Sequence, residues 1–176
     1  MSLIYQPAED SFLVCGIVLK LKNLKNLKIL EMGSGSGVIA EALLSNHADE
    51  KKLVLIDINS EAVKNLKQKF PKSKIIKSDL FKKVNGKYDL IIFNPPYLPE
   101  DKNEDIESKT ATTGGKKGSE ITNKFLKQTK SHLEKNGKIF LLTSSLTKGI
   151  NWQNYKKKMI GKKKIFFERL FVYELS

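Results

Sequence analysis

Cysteine, histidine and arginine are nearly missing from this sequence. Cys15 is the sole cysteine and His47 and His132 are the two histidines, so the chain alone can assemble neither a disulfide framework nor a Cys/His zinc site. That usage suits a reducing compartment, and a cytoplasmic location is expected. Long apolar runs are missing too. The early stretch 12–19 is too short to span a bilayer and follows Glu9 and Asp10, where a signal peptide would carry positive charge; it reads as a buried helix. No Walker lysine follows Gly33 to Gly37 and no nucleophile elbow or metal-spaced His/Cys set appears, which leaves phosphate-loop, serine-hydrolase and zinc chemistry poorly supported.

What is abundant is lysine. The 32 basic residues against 19 acidic ones give a net charge of +13, and Arg169 is the only arginine among them. Such a surplus attracts acidic partners. Nucleic-acid readers, however, rely on the planar fork of arginine to hold phosphates and bases, so the lysines read first as a solvated surface. At 176 residues the chain is expected to form a single domain able to bury roughly 70% of its unfolded surface, without a separate N-terminal recognition domain.

Apolar runs of strand length alternate with stretches of helical period, the habit of an α/β domain with a parallel sheet. Strands are predicted at 27–30, 53–58, 75–77 and 90–93. Between them, 38–45 and 61–70 carry apolar stripes at helical spacing, and Pro71 stops the second. Residues 99–118 are polar and glycine-containing, a long loop expected to be functional, with Gly114-Gly115-Lys116-Lys117-Gly118 acting as a mobile flap over the substrate. A helix from Ser119 or Glu120 is expected to end at Asn136-Gly137, before strands at 138–142 and 168–174.

Directly after the first predicted strand comes Glu31-Met32-Gly33-Ser34-Gly35-Ser36-Gly37, opening a helix. Glycines let the chain turn sharply and let a ligand approach the backbone. The spacing is not that of the dinucleotide fingerprint, and a pyrophosphate would be repelled by Glu31. S-adenosylmethionine, with its sulfonium and ammonium, is instead attracted. Asp57 closes the second strand where an acid accepts from ribose hydroxyls, and Asp79 lies past the third, within reach of an adenine amino group.

Asn94-Pro95-Pro96-Tyr97 follows the fourth strand and is the most specific signal. A planar amide or aniline-like nitrogen is a poor nucleophile until acceptors hold its N–H groups. The Asn94 side-chain oxygen and the Pro95 carbonyl supply two acceptors, proline adds no competing donor, and Tyr97 can stack on the target. Catalysis is then positioning and electrostatics, without a protein nucleophile.

These motifs, together with Tyr5-Gln6-Pro7-Ala8-Glu9-Asp10-Ser11-Phe12 and Gly114 to Glu120, resemble the HemK-related glutamine methyltransferases of archaea and eukaryotes that modify class I translation release factors. The resemblance implies a class I methyltransferase fold, a three-layer Rossmann-like sandwich whose seven-stranded, mostly parallel sheet is ordered 3-2-1-4-5-7-6. It implies transfer of a methyl group from S-adenosylmethionine to the glutamine of a Gly-Gly-Gln motif. Asn94, Pro95, Pro96 and Tyr97 would be catalytic. Tyr5, Ser11, Glu31, Gly33, Gly35, Asp57, Ile58, Asp79, Leu80 and Asn94 would border the cofactor. Pro7, Glu9 and Asp10 match the opening motif, with a structural role as expected as a ligand contact.

Relatives of this short type pair with a small zinc-ribbon activator beside the third strand. Here Ile75, Ile76, Leu80 and Phe81 would form an edge suited to strand addition. The resemblance also places strand six at 155–160, leaving a truncated helix at 147–154, although Trp152, Tyr155 and Met159 also fit a helix. Two other readings remain: a methyltransferase acting on the adenine amino group of DNA or RNA, which would need a recognition region, and a non-catalytic cofactor-binding subunit.

Overall fold

In a computed structural model, residues 6–100 and 112–176 are described. Seven strands form one sheet: β1 (Ile29–Met32), β2 (Leu53–Asp57), β3 (Lys74–Lys77), β4 (Tyr88–Phe93), β7 (Leu133–Ser144), β8 (Lys157–Ile165) and β9 (Glu168–Leu175), in the order β3-β2-β1-β4-β7-β9-β8. β5 (Leu98–Pro99) and β6 (Thr113–Gly115) make a separate short pair. With that pair set aside, the order is the anticipated 3-2-1-4-5-7-6. The strands from β3 to β7 run parallel, and β9 lies antiparallel between β7 and β8.

Helices cover both faces. Along β1, β2 and β4, alternate residues point to opposite sides. Ile29, Leu55 and Ile92 pack with α1 (Glu9–Val18), α2 (Val38–Ser45) and α3 (Ser60–Lys69), whereas Leu30, Ile56 and Ile91 pack with α4 (Glu120–Thr129). This alternation places the site. On the α1–α3 face the apolar stripes Ile29, Leu53 and Leu55, and Leu90 and Ile92 are continued at the next same-side position by Glu31, Asp57 and Asn94. Three polar groups therefore meet where three apolar stripes end. The turn feeding α2 depends on Gly37, whose φ is +80 and where a Cβ would lie 2.5 Å from the Phe70 ring.

Several boundaries differ from the sequence reading. β1 begins two residues late, because Leu27 closes a 3-10 turn on Leu24 and the Lys28 N–H donates to Asp89. Glu31 thus lies inside a fully buried strand rather than after it. The helix that was to reach Asn136-Gly137 stops at Thr129. His132, stacked on Phe81 at 4.5 Å, turns the chain, and Gly137 lies within β7 against the Tyr88 carbonyl.

No helix forms in 147–154: Thr147 Oγ1 donates to the Tyr97 carbonyl, and the Asn123 side chain bonds Gly149 and Asn151, so side chains rather than a helical ladder satisfy this backbone. Strand six runs Lys157–Ile165 rather than 155–160. Phe12 is 54% exposed, so the 12–19 stretch is helical for most of its length but not buried throughout. Phe81 belongs to the core, stacked between Phe125 and His132, and cannot contribute to an open edge.

Candidate active site

The carboxyl ends of β1, β2 and β4 open into a cavity of about 710 Å³, within the usual range for a small-molecule site. Of the residues singled out in the sequence, Ser11, Glu31, Gly33, Gly35, Asp57, Ile58, Asp79, Leu80 and Asn94 to Tyr97 all line it. Tyr5 lies outside the described residues.

Glu31 is 2% exposed, and its Oε2 has no hydrogen-bond partner among the described residues. Burial pushes its carboxyl up to about 8, and the nearby Asp57 charge adds to the rise, while the Ala40 N–H and Lys69 oppose it. Asp57 is raised as well, by burial, against N–H donors that lower it. Its Oδ2 accepts from Gly35 N at 2.8 Å and its Oδ1 from Asn59 N at 2.8 Å. Asp57 therefore helps to shape the glycine turn as well as facing the cavity. Asp79 is half-exposed and paired with Lys82 at 2.6 Å. Ile58 is 56% exposed, an apolar side chain at the rim.

Just beyond β4, the strand beside β1, Asn94 Nδ2 donates to Asp10 Oδ2 at 3.2 Å and lies 3.5 Å from Ser11 Oγ. Asn94 Oδ1 is buried and has no partner among the described residues. A buried acceptor without a donor costs about 1–3 kcal/mol and calls for an explanation. A donor brought by a ligand supplies one. Asp10, 4% exposed, is the side chain whose place in the site the sequence did not settle. Its contact with Asn94 spans 84 residues, and the opening motif was the only signal that could have pointed to it.

The segment expected to be a mobile flap is packed in place. A Cβ on Gly114 would lie 2.5 Å from the Pro96 carbonyl, and one on Gly118 would collide with the Tyr97 carbonyl. The Glu120 carboxylate accepts from Lys117 N, Ser119 Oγ donates to the Lys148 carbonyl at 2.7 Å, and Glu100 N donates to the Gly115 carbonyl at 3.0 Å. Gly114 to Gly118 are thus a buttress behind Pro96 and Tyr97, and the glycines are there because backbone meets backbone.

A cradle of glycine backbone facing a buried carboxylate, one oxygen of which has no partner among the described residues, fits a cationic amino-acid-like ligand, and the fold is that of class I methyltransferases. The L11 methylase of Lactobacillus delbrueckii superposes with a TM-score of 0.63 at 19% identity, over 91% of this chain and 76% of that one. A 16S rRNA methyltransferase of Thermus thermophilus, solved with AdoMet and guanosine, superposes with a TM-score of 0.64 at 16% identity, over 96% and 43%. A family profile described as methyltransferase small domain matches residues 16–162, and the chain belongs to that family. It is an S-adenosylmethionine-dependent methyltransferase.

Among curated relatives, a protein of Methanocaldococcus jannaschii named as an N5-glutamine methyltransferase is 39% identical over 96% of this chain and 89% of its own length. The release factor glutamine methyltransferase of Borreliella burgdorferi is 34% identical, and the match spans 85% of this chain and 54% of that longer protein. The eRF1 methyltransferase catalytic subunit of Schizosaccharomyces pombe is 28% identical over 82% and 74%.

Proposed function

We propose that this enzyme methylates the side-chain amide nitrogen of the glutamine in a Gly-Gly-Gln motif of a class I translation release factor. The observation that carries the reading is the buried Asn94 Oδ1, an acceptor without a donor among the described residues on the cavity wall. The names of the relatives, glutamine methyltransferases and an eRF1 methyltransferase subunit, point the same way.

When bound, S-adenosylmethionine supplies an electrophilic methyl group on a sulfonium. Glu31 and the Gly33 and Gly35 backbone would hold its amino-acid end, Asp57 the ribose, and Asp79 and Leu80 the adenine, with Ser11 and Ile58 bordering it. Asn94 Oδ1 takes one N–H of the substrate amide and the Pro95 carbonyl the other. Both bonds strengthen as the nitrogen turns pyramidal, which frees a lone pair otherwise shared with the amide carbonyl. Tyr97 covers the planar target, and Pro96, pressed from behind by Gly114, fixes the path of the backbone.

A small zinc-ribbon activator is proposed to add to the outer edge of β3, beyond which no strand pairs among the described residues. Ile75, Ile76 and Leu80 are half-buried there. The setting is the cytosol, where Cys15 remains an inert thiol, its pKa pushed up to about 11 chiefly by burial.

The test is transfer of labelled methyl, with and without the activator, to a release factor and to its Gly-Gly-Ala variant. Label on the glutamine protein alone is expected. Label on DNA or RNA instead, or cofactor binding without any transfer, would overturn the assignment.

A further inference from the structure

We infer that Asp10 is a positioning residue for Asn94: its carboxylate selects the one amide orientation that turns Oδ1, rather than Nδ2, toward the substrate. This deepens the proposed transfer reaction and rests on it. The two ends of an asparagine amide have nearly the same shape, so packing alone cannot choose between them; the chemistry of the neighbours decides. On the Nδ2 side of Asn94 those neighbours are the Asp10 carboxylate at 3.2 Å and the Ser11 hydroxyl at 3.5 Å, both from residues that line the same cavity. A hydroxyl donates or accepts and does not discriminate. An ionised carboxylate only accepts.

With Nδ2 toward Asp10 the contact is a charge-assisted hydrogen bond. With the amide reversed, two oxygens would face each other in a site shielded from water, where repulsion is strong, and two N–H donors would point at the substrate amide nitrogen in place of an acceptor. Asp10 is itself held. Its Oδ1 accepts from Ser11 N at 2.6 Å and lies 3.3 Å from Ser11 Oγ. It stands in the first turn of α1, where the helix dipole favours a negative charge. The orphaned state of Asn94 Oδ1 is then the consequence of an orientation imposed from the Nδ2 side.

Asp10→Asn tests this with almost no change of shape, because an amide at position 10 can face either end of Asn94. Three readouts are taken on the full chain: kcat with saturating donor and release factor, the dissociation constant for S-adenosylmethionine, and the side-chain amide 15N–1H signals of Asn94, assigned by their loss in Asn94→Ala. The expected result is a fall in kcat of about 10–100-fold, the scale of a lost orienting partner, with donor affinity within twofold. An upfield shift of the Asn94 amide proton that faces the carboxylate should accompany it.

A kcat within threefold of the parent, an unmoved Asn94 signal, or a parallel loss of donor affinity would each refute the inference, the last by showing a merely structural role. The resonance needs no turnover. Absence of transfer by the parent chain therefore counts against the substrate assignment, while the signal still decides whether Asp10 orients Asn94.

Discussion

Two buried oxygens face one cavity from adjacent strands, Glu31 Oε2 on β1 and Asn94 Oδ1 just beyond β4, and both lack a partner among the described residues. Glu31 pairs in register with Ile92, so Asn94 stands two residues further along, about 7 Å at the strand rise. The two walls solve different recognition problems. Glu31 carries a charge that burial resists, so it rewards a ligand that brings a positive charge. Asn94 carries none, and its selectivity lies in the direction of one lone pair. On the proposed reading, a positive donor and a neutral amide are thereby held by different groups within the same crevice.

The sharpest way to break this comparison is Asn94→Ala. Transfer should fall by about 10²–10³-fold, the cost of removing one group that acts on the transition state, while titration calorimetry finds the donor affinity within threefold. Equal losses of both would mean that the two walls act as one site.

Glu31→Gln should show the reverse pattern, a loss of donor affinity of about 10–100-fold, from a charge-assisted bond worth about 1.5–3 kcal/mol. Its pH signature is separate. The carboxyl titrates near 8 when folded against 4.5 for the ordinary group, and a cation binds the ionised form. Donor affinity should therefore rise with pH up to about 8, with protons released on binding at pH 7, visible as a dependence of the calorimetric heat on buffer. Between 4.5 and 8 the folded chain holds more protons than the unfolded one, so the ligand-free protein loses stability as pH rises through that window. Glu31→Gln should flatten both trends.

Gly118→Ala probes what lies behind the substrate wall alone. The position has φ +79 and a Cβ there would strike the Tyr97 carbonyl, so a cost of about 1–3 kcal/mol is expected, seen as a lower urea midpoint. Because the glycine turn is remote from this contact, donor affinity measured on folded protein should hold. A simultaneous loss would show that the buttress supports both walls.

The cofactor wall was the more legible half in sequence, and the reason is locality. Glu31, near the end of β1, and Gly33, Gly35 and Gly37, in the turn after it, lie within seven residues, and Asp57 ends the neighbouring strand, so spacing alone foretold their convergence. The parts that were not legible depend on contacts between distant segments: Asp10 with Asn94 across 84 residues, Gly114 to Gly118 behind Pro96 and Tyr97, and Thr147 on the Tyr97 carbonyl across 50. Gly114 and Gly118 looked like a flap because glycine-rich polar sequence is the same whether it moves or lets two backbones touch. Phe81 looked like edge because it follows the third strand together with the apolar Ile75, Ile76 and Leu80, and nothing local announces that His132 and Phe125 close over its ring.

Helix α1 links the comparison to stability, since it supplies Asp10 to Asn94 while Glu9 pairs with Lys163 and Val14, Cys15 and Val18 pack in the core. Gly16 lies within this helix, outside the left-handed region, and a Cβ added there meets nothing within 4 Å among the described residues. Gly16→Ala should accordingly stabilise the protein by about 0.5–1 kcal/mol, mainly by narrowing the conformations of the unfolded chain, seen as a higher urea midpoint at unchanged slope. If α1 is already a rigid frame for Asp10, this extra stability leaves both donor affinity and transfer rate where they were. If transfer changes by more than about threefold while affinity does not, fraying of α1 reaches Asn94 through Asp10. Motion would then touch the substrate wall and spare the cofactor wall, because Glu31 is held within a four-residue buried strand and Asn94 is oriented by a helix terminus.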